Sequence, residues 1–579
     1  MTAIADLAAF AGATAGLLLL TMAAGYCAVR HLLRLSASAT LASSLPAGVL
    51  SFVVIGGGAA IAYRGPLGLA VPLACCLLAA AGAVTAAFDL RRRGVVAFLG
   101  ANRLGLPVTI VGACALYAWQ MRAVFGFGPL ATVSWNNDVL AYAYSARHLA
   151  ELGSGSAGWI IGYDAGAAAR GDVIGAYGVV ITSGAVLGDP MRSALPLMCV
   201  AVAAIAASAF CVVSVLLPRR SGVAALAGLI TTAGFAATYD AYQYFLSEKI
   251  AISITMVSLA AIAAARGCIR IAVWQALVVA ALVLAYPQAA PVQVAMALVV
   301  AAALPRPFGR GRARTLSGRV VAVLVGTAVG LAALGPYLLE RIDRARYLLR
   351  VAAGWAMPTY SLVETIGLPA PVALSRTSGL VLQALIVVAL GFGLLCVRRR
   401  DRSRLGVALA LLLPFALFVR FAFAEPDSYR QWKAMASAAP FAVVAVTIIG
   451  FVLLQAVTQR FGGKVRGSQL QLLRAAAAVL LVVWLAFAMR GSYDANQSIR
   501  ECLWPDCPIG SVVRAQMHRF DATAGDGPVA VNLGPYWPSM AAAYYLWGRP
   551  IAMRDPNYWA TSDEPVRKTL TPAGWRGSE

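Results

Sequence analysis

The chain has 579 residues, of which 60% are hydrophobic and 12% charged, with a mean hydropathy of +0.77 and a formal net charge of +23. These proportions exclude a wholly water-soluble globular protein and describe a chain dissolved mainly in lipid. The positive charge sits mostly in short segments between apolar stretches, where it reports membrane orientation, so no nucleic-acid partner is expected.

A bilayer crossing takes about 20 mostly apolar residues, and about fourteen stretches approach that length. In chain order they are Ala9–Val29, Ala47–Tyr63, Leu67–Ala87, Gly105–Ala123, Ser193–Leu217, Val223–Thr238, Ile250–Ala265, Ile271–Ala285, Val292–Leu304, Val320–Leu339, Leu380–Val397, Val407–Val419, Ala438–Gln455 and Ala475–Ala488. The first has no basic segment before it, and Arg30, His31 and Arg34 follow it, so it reads as a retained helix rather than a signal peptide. The expected fold is an all-α polytopic membrane protein of about fourteen spans with a small α/β domain at its C-terminal end. That divides the chain into a multi-span region, 1–489, and a tail, 490–579.

Basic clusters fall in alternate loops: Arg30/Arg34, Arg91–Arg93 with Arg103, Arg219/Arg220, Arg266/Arg270, Arg306–Arg319, Arg398–Arg404 and Arg460–Arg474. Positive loops stay on the cytoplasmic side. Both termini, the segment 124–192 and the loops 239–249, 286–291, 340–379 and 420–436 are therefore expected outside, at the periplasmic face of a bacterial inner membrane. On this map only Asp89 and Asp401 among the acids are cytoplasmic.

The segment 124–192 is too long for a connector and should carry structure of its own. From Trp135 to Leu149 it has no Gly or Pro, and an Asn at its start is able to cap a first turn. On that helix Asp138, Tyr142 and Ser145 share a face, and Gly153 and Gly155 end it. Val173 to Leu187 is short and interrupted by Gly, and is expected on the outer surface, with a partial span as the alternative. In the tail, Val529–Leu533 and Pro550–Met553 read as strands flanking a short helix from Pro538 to Trp547, a minimal β-α-β layer.

Eight cysteines lie in or beside spans and behave as small apolar residues. Cys502 and Cys507 both fall in the outer tail, where an oxidising compartment permits a bridge. A disulfide between them is expected, with two unpaired thiols as the alternative.

Three polar clusters at outer helix ends carry the candidate chemistry, because an ionisable group near lipid is costly unless used or paired. They are Asn136-Asn137-Asp138; the hairpin holding Asp240, Tyr242, Tyr244, Glu248 and Lys249; and the hairpin holding Glu425, Asp427, Tyr429, Arg430, Trp432 and Lys433. Aromatic rings stack on sugar faces, Arg and Lys hold phosphate, and a carboxylate takes a proton from an attacking hydroxyl. The plainer readings are interfacial aromatic anchors, ion pairs and a helix cap. Arg341, Arg344, Arg346 and Arg350 run against the inside-positive trend; Arg346 and Arg350 share a helix face suited to phosphate, with pairing to Glu340 and Asp343 as the alternative. No Walker-type loop or Gly-x-Ser-x-Gly elbow occurs, and the three histidines are scattered, so no zinc site is expected. Assistance by a divalent cation at the outer carboxylates stays open.

Many spans, a long first outer loop with an acid early in a surface helix, and a soluble outer C-terminal domain together resemble the GT-C superfamily of membrane glycosyltransferases. That resemblance implies a polyprenyl-phosphate sugar donor and an envelope glycan, lipid or protein acceptor. It places the acidic catalytic residue, a general base, at Asp138 in Trp135-Asn136-Asn137-Asp138, with Asn137 and Tyr142 beside the substrate, and makes Asp240 and Glu248 candidates for a second carboxylate. Lys249, Arg430 and Lys433 would hold the donor phosphate, with Tyr244 and Tyr429 near the sugar. The chain departs from the pattern in having four expected spans before the motif where many members have one. A glycan polymerase or ligase using lipid-diphosphate carriers, relying on outer-loop arginines such as Arg341 to Arg350, is a second enzyme reading. A flippase would need charges lining its spans, and a non-catalytic assembly partner would have its outer clefts filled by side chains.

Overall fold

The computed structural model describes residues 2–35, 37–99, 104–125, 138–160, 164–218, 220–242, 244–265, 267–303, 314–351, 388, 402–415, 428–461, 467–502, 511–523, 527–531 and 542–553. The described elements are α1 (Thr2–Leu32), α2 (Ala37–Ala62), α3 (Ala70–Leu99), α4 (Gly105–Gln120), α5 (Arg122–Phe125), α6 (Asp138–Glu151), α7 (Ala165–Gly171), α8 (Ile174–Leu187), α9 (Pro190–Leu216) and α10 (Ser221–Thr232). They continue with α11 (Phe235–Tyr242), α12 (Leu246–Ala264), α13 (Cys268–Ala285), α14 (Ala289–Ala303), α15 (Arg314–Ala332), α16 (Tyr337–Val351), α17 (Arg402–Leu412), α18 (Ser428–Phe461), α19 (Gly467–Cys502), α20 (Ser511–Thr523), β1 (Val529–Val531) and β2 (Ile551–Met553).

Among the described residues, 8 helices are long and apolar enough to cross a membrane: α1, α2, α3, α9, α12, α13, α18 and α19. Counting the bent pairs α10–α11 and α15–α16 as one span each gives up to 10. The chain is thus a multi-pass, predominantly helical membrane protein. The shorter apolar helices α4 and α14 coincide with two further expected spans, while the expected span Leu380–Val397 lies outside the described residues apart from residue 388.

α9 is the centre of the bundle. Every residue from Ser193 to Val213 is buried, as expected of a helix apolar on all sides. α2, α4, α8, α10 and α12 pack around it, whereas α1, α3 and α19 carry outward Leu19, Leu77, Phe88 and Leu480 as a lipid-facing layer. α8 differs from its expected surface position: Ile174 through Gly184 are all buried, against α2, α9 and α13. Its glycines explain this, because Gly178 meets Gly56 of α2 where neither position has room for a Cβ. Buried amides then fasten α13 to α14, with Gln275 and Gln293 exchanging hydrogen bonds of 2.9 and 3.0 Å and Gln293 also donating to Ser258 of α12 at 3.0 Å.

The stretch read as one span over Val223–Thr238 is broken into α10 and α11 at Ala233–Gly234, where Gly234 has φ +104°. A break in lipid must satisfy the backbone groups it frees. The Gly234 N–H donates to Ser492 Oγ at 2.8 Å, and the Thr232 carbonyl accepts from Gln120 Nε2 at 2.8 Å. α4 and α19 therefore brace the break, which turns α11 so that Asp240 meets the start of α12. A second bend, 96° between α15 and α16, occurs at Gly335 with φ +54°. It lays α16 across the bundle end against α7.

α19 is continuous from Gly467 to Cys502, so the expected domain boundary at 489–490 falls inside a helix. Beyond it, β1 and β2 pair in parallel, with Val529 opposite Ile551 and Val531 opposite Met553, and a helical turn from 542 precedes β2. Cys502 ends α19, and Cys507 lies outside the described residues.

Candidate functional site

Asp138 opens α6, where an acid in the first turn is favoured by the helix dipole. One turn on, Tyr142 is buried and holds α6 to two neighbours. Its hydroxyl accepts from the Ser247 N–H of α12 at 3.2 Å, and its ring meets Tyr177 of α8 and Tyr244 edge-on at 5.5 and 5.7 Å. Tyr244 joins α11 to α12 with φ +59°, a strained conformation for a residue with a Cβ, and is itself buried.

The two acids at the α11–α12 corner are both paired. Asp240 meets Lys249, and these side chains are 1% and 4% exposed. Glu248 meets Lys433 of α18 and accepts from Tyr286 Oη at 2.9 Å, leaving Glu248 Oε2 with no hydrogen-bond partner among the described residues. The Lys433 ammonium also lies 3.0 Å from the centre of the Phe245 ring. Between α7 and α8, Asp172 accepts from Tyr177 Oη at 2.6 Å. The Asp172 and Gly171 carbonyls take the Arg341 Nη1 hydrogens, the latter at 2.6 Å.

Arg341 stands out in this frame. It is 1% exposed, yet its Nε and Nη2 have no hydrogen-bond partner among the described residues. An unsatisfied buried guanidinium N–H is costly, and the planar fork of Arg matches carboxylate or phosphate oxygens.

Asp138 is only partly buried by surface area, but its carboxyl is pushed up to about 7. Loss of water around it is the main cause; Lys433 opposes the rise, and the negative charges of Asp172, Glu248 and Asp240 reinforce it. Asp138 therefore shares one electrostatic environment with groups from α8's approach, α11, α12 and α18. Burial and the neighbouring Asp138 likewise hold the Tyr142 phenol well above its ordinary range.

Of the residues expected from sequence, the structure gathers Asp138, Tyr142, Asp240, Tyr244, Glu248, Lys249 and Lys433. Arg346 is not among them: its side chain is 70% exposed and lies 3.5 Å from Asp343, the ion-pair alternative. Tyr429, Arg430 and Arg350 fall within α18 and α16, with their side chains outside the described set, and Asn137 is outside the described residues altogether. Asp172, Tyr177 and Tyr286 were not singled out by sequence as site residues, and Arg341 was named only as one of the outer arginines from Arg341 to Arg350. Asp172 and Tyr286 had a signal, since both fall on the outer side of the charge map. Arg341 had a weaker one, sharing a helix face with Tyr337 four residues before it, whereas Arg346 lies about 140° further round.

No family model and no curated protein matches this chain. Among solved structures it is similar to ArnT from Cupriavidus metallidurans bound to undecaprenyl phosphate, with a TM-score of 0.44 and 15% identity over 78% of this chain and 88% of that one. It is similar also to the arabinofuranosyltransferase AftD from Mycobacteria, with a TM-score of 0.44 and 13% identity over 78% of this chain and 31% of that one. The likeness is architectural and assigns no substrate.

Among the described residues no group of three or more His, Cys, Asp or Glu side chains is arranged to hold a metal ion. What the described residues offer is a carboxyl poised near neutrality in the field of Lys433, Asp172, Glu248 and Asp240, and a buried guanidinium held by the carbonyls of Gly171 and Asp172.

Proposed function

We propose that the chain is a membrane glycosyltransferase that moves a sugar from a polyprenyl-phosphate donor to a cell-envelope acceptor at the periplasmic face, with Asp138 as general base. The observation that carries this reading is the gathering of Asp138, at the start of α6, with the Asp240–Lys249 and Glu248–Lys433 pairs, in whose field its carboxyl is raised to about 7. A base is most effective when its pKa lies near the working pH. The acceptor hydroxyl attacks the anomeric carbon, its proton passes to Asp138, and the bond from that carbon to the phosphate oxygen breaks. Polyprenyl phosphate leaves with the bonding electrons and needs no protein acid.

The leaving phosphate requires positive donors. Lys249 and Lys433 each face a carboxylate, so the first choice is Arg341, whose Nε and Nη2 have no hydrogen-bond partner among the described residues and whose place is fixed by the carbonyls of Gly171 and Asp172. Lys433 adds a second positive charge, and Arg430 lies three residues before it on the same helix. Tyr142 and Tyr244 supply aromatic walls for the sugar. The outer placement of this cluster, of both termini and of the tail 490–579 as a domain belongs to the same reading and rests on the charge map.

Purified protein in liposomes, offered a lipid-monophosphate sugar and, separately, a lipid-diphosphate glycan, should form product only from the monophosphate. Product from the diphosphate alone, read by mass spectrometry, would move the assignment to a polymerase or ligase.

A further inference from the structure

α6 is gripped on two faces. Asp138 and Tyr142 turn toward the site, while Tyr144, Arg147, His148 and Glu151 lie on the other side of the helix. That second face is covered by the chain's C-terminal part. Trp547 Nε1 donates to Glu151 Oε2 at 2.6 Å, and the Trp547 ring meets Tyr144 edge-on at 5.3 Å. Arg147 lays its guanidinium 4.6 Å from the Trp547 ring centre, donates to the Tyr544 carbonyl at 3.1 Å and pairs with Glu151 at 2.9 Å.

The same segment holds two more pieces of the first outer loop. Tyr544 Oη donates to Asp189 Oδ1 at 2.6 Å, and Asp189 also caps α9 through the Met191 N–H. Ile551 N donates to the Trp159 carbonyl at 2.8 Å, and Ile160 bridges to Ile551 in parallel, which adds an outer-loop residue to the β1–β2 sheet. Segment 542–553 thus joins α6 to two other pieces of the first outer loop.

We infer that segment 542–553 is the positioning element for Asp138: docked on the outward face of α6, it sets the angle at which that helix presents its carboxylate to α12 and α18. This rests on the reaction proposed above. α6 spans 14 residues, a length at which an isolated helix is marginal in water, so its placement comes from what grips it. A displacement of about 1 Å at a catalytic group costs about a hundredfold in rate. Trp547 and Arg147 touch no reacting group and act only through α6.

The test uses the full-length protein carrying Trp547→Ala, with Trp547→Phe as the conservative comparison. Hydrogen exchange at the amides of residues 138–142 should quicken about tenfold in Trp547→Ala, with α9 and α12 unchanged. kcat should fall about a hundredfold with the donor KM nearly unchanged, and Trp547→Phe, which keeps the ring contact with Tyr144, should recover much of the loss. The midpoint of the pH–rate profile should also fall toward the ordinary carboxylate range, because a loosened α6 exposes Asp138 to water while Lys433, Asp240, Glu248 and Asp172 stay in place. Unchanged exchange in α6, or a loss of rate with no movement of the midpoint, would overturn the inference. If the unaltered protein transfers no sugar, the reaction proposed above fails, and the exchange measurement alone decides whether the segment sets α6.

Discussion

Replacing Asp138 by Asn should stabilise the protein while disabling it. The carboxyl's ordinary value of 3.8 becomes about 7 in the folded chain. That interval, about 3 pH units at 1.36 kcal/mol each, sets a ceiling of about 4 kcal/mol on the cost of keeping Asp138 ionised. Asp138 is only partly buried, and water reaching it reduces the expected gain to about 1–2 kcal/mol. Because the folded value is the higher one, the folded state holds the proton longer than the unfolded state. The cost is absent below about pH 4, grows as pH rises, and is flat above about pH 7. Thermal unfolding of the detergent-solubilised protein, followed by tryptophan fluorescence, should show Asp138→Asn melting about 1–3 °C higher at pH 8, with a smaller gain at pH 5. An equal gain at both pH values, or destabilisation at pH 8, would refute the argument that Asp138 is held ionised at a cost.

The initial rate of transfer by the unaltered protein should rise with pH through a midpoint near 7, since the base must be unprotonated to act; a rate that falls over that range would point to an acid instead. Arg341→Lys keeps the charge but loses the fork, and should raise the KM for the lipid donor about tenfold with little change in thermal stability; an unchanged KM would remove Arg341 from the phosphate site. Cys502 and Cys507 should resist alkylation until a reductant is added, as read by intact mass, whereas labelling of both without reductant would show that no bridge exists.

That the chain is a multi-pass helical protein was legible because apolar length and helix signals act locally. Asp138 was legible as the start of a helix for the same reason. Less accessible were features set by contacts between distant segments. Nothing in Val223–Thr238 announces that the chain breaks at Gly234, because the break depends on Gln120 and Ser492 arriving from other helices to satisfy its backbone. α8 looked too interrupted for the interior, yet its glycines are what admit it beside Gly56 of α2.

The arginines on α16 show the same limit from the opposite direction. Spacing alone favours Arg346 with Arg350, since four residues place two side chains on one face. The bend at Gly335 instead turns the face of Tyr337 and Arg341 inward: Tyr337 Oη donates to the Arg170 carbonyl at 2.8 Å and Arg341 to Gly171. Which face of an amphipathic helix turns inward was decided by the turn before it. Likewise, that Lys433 faces Glu248 of the other hairpin could not be read from either hairpin alone, and it shifts the weight of the proposed phosphate recognition toward Arg341.

The most direct test is the rate of sugar transfer from a polyprenyl-monophosphate donor in liposomes, measured side by side for the unaltered protein and Asp138→Asn. Turnover by the first, with a loss of about a thousandfold and retained donor binding in the second, is the expected result. Equal rates in the two proteins would contradict the assignment of Asp138 as the base.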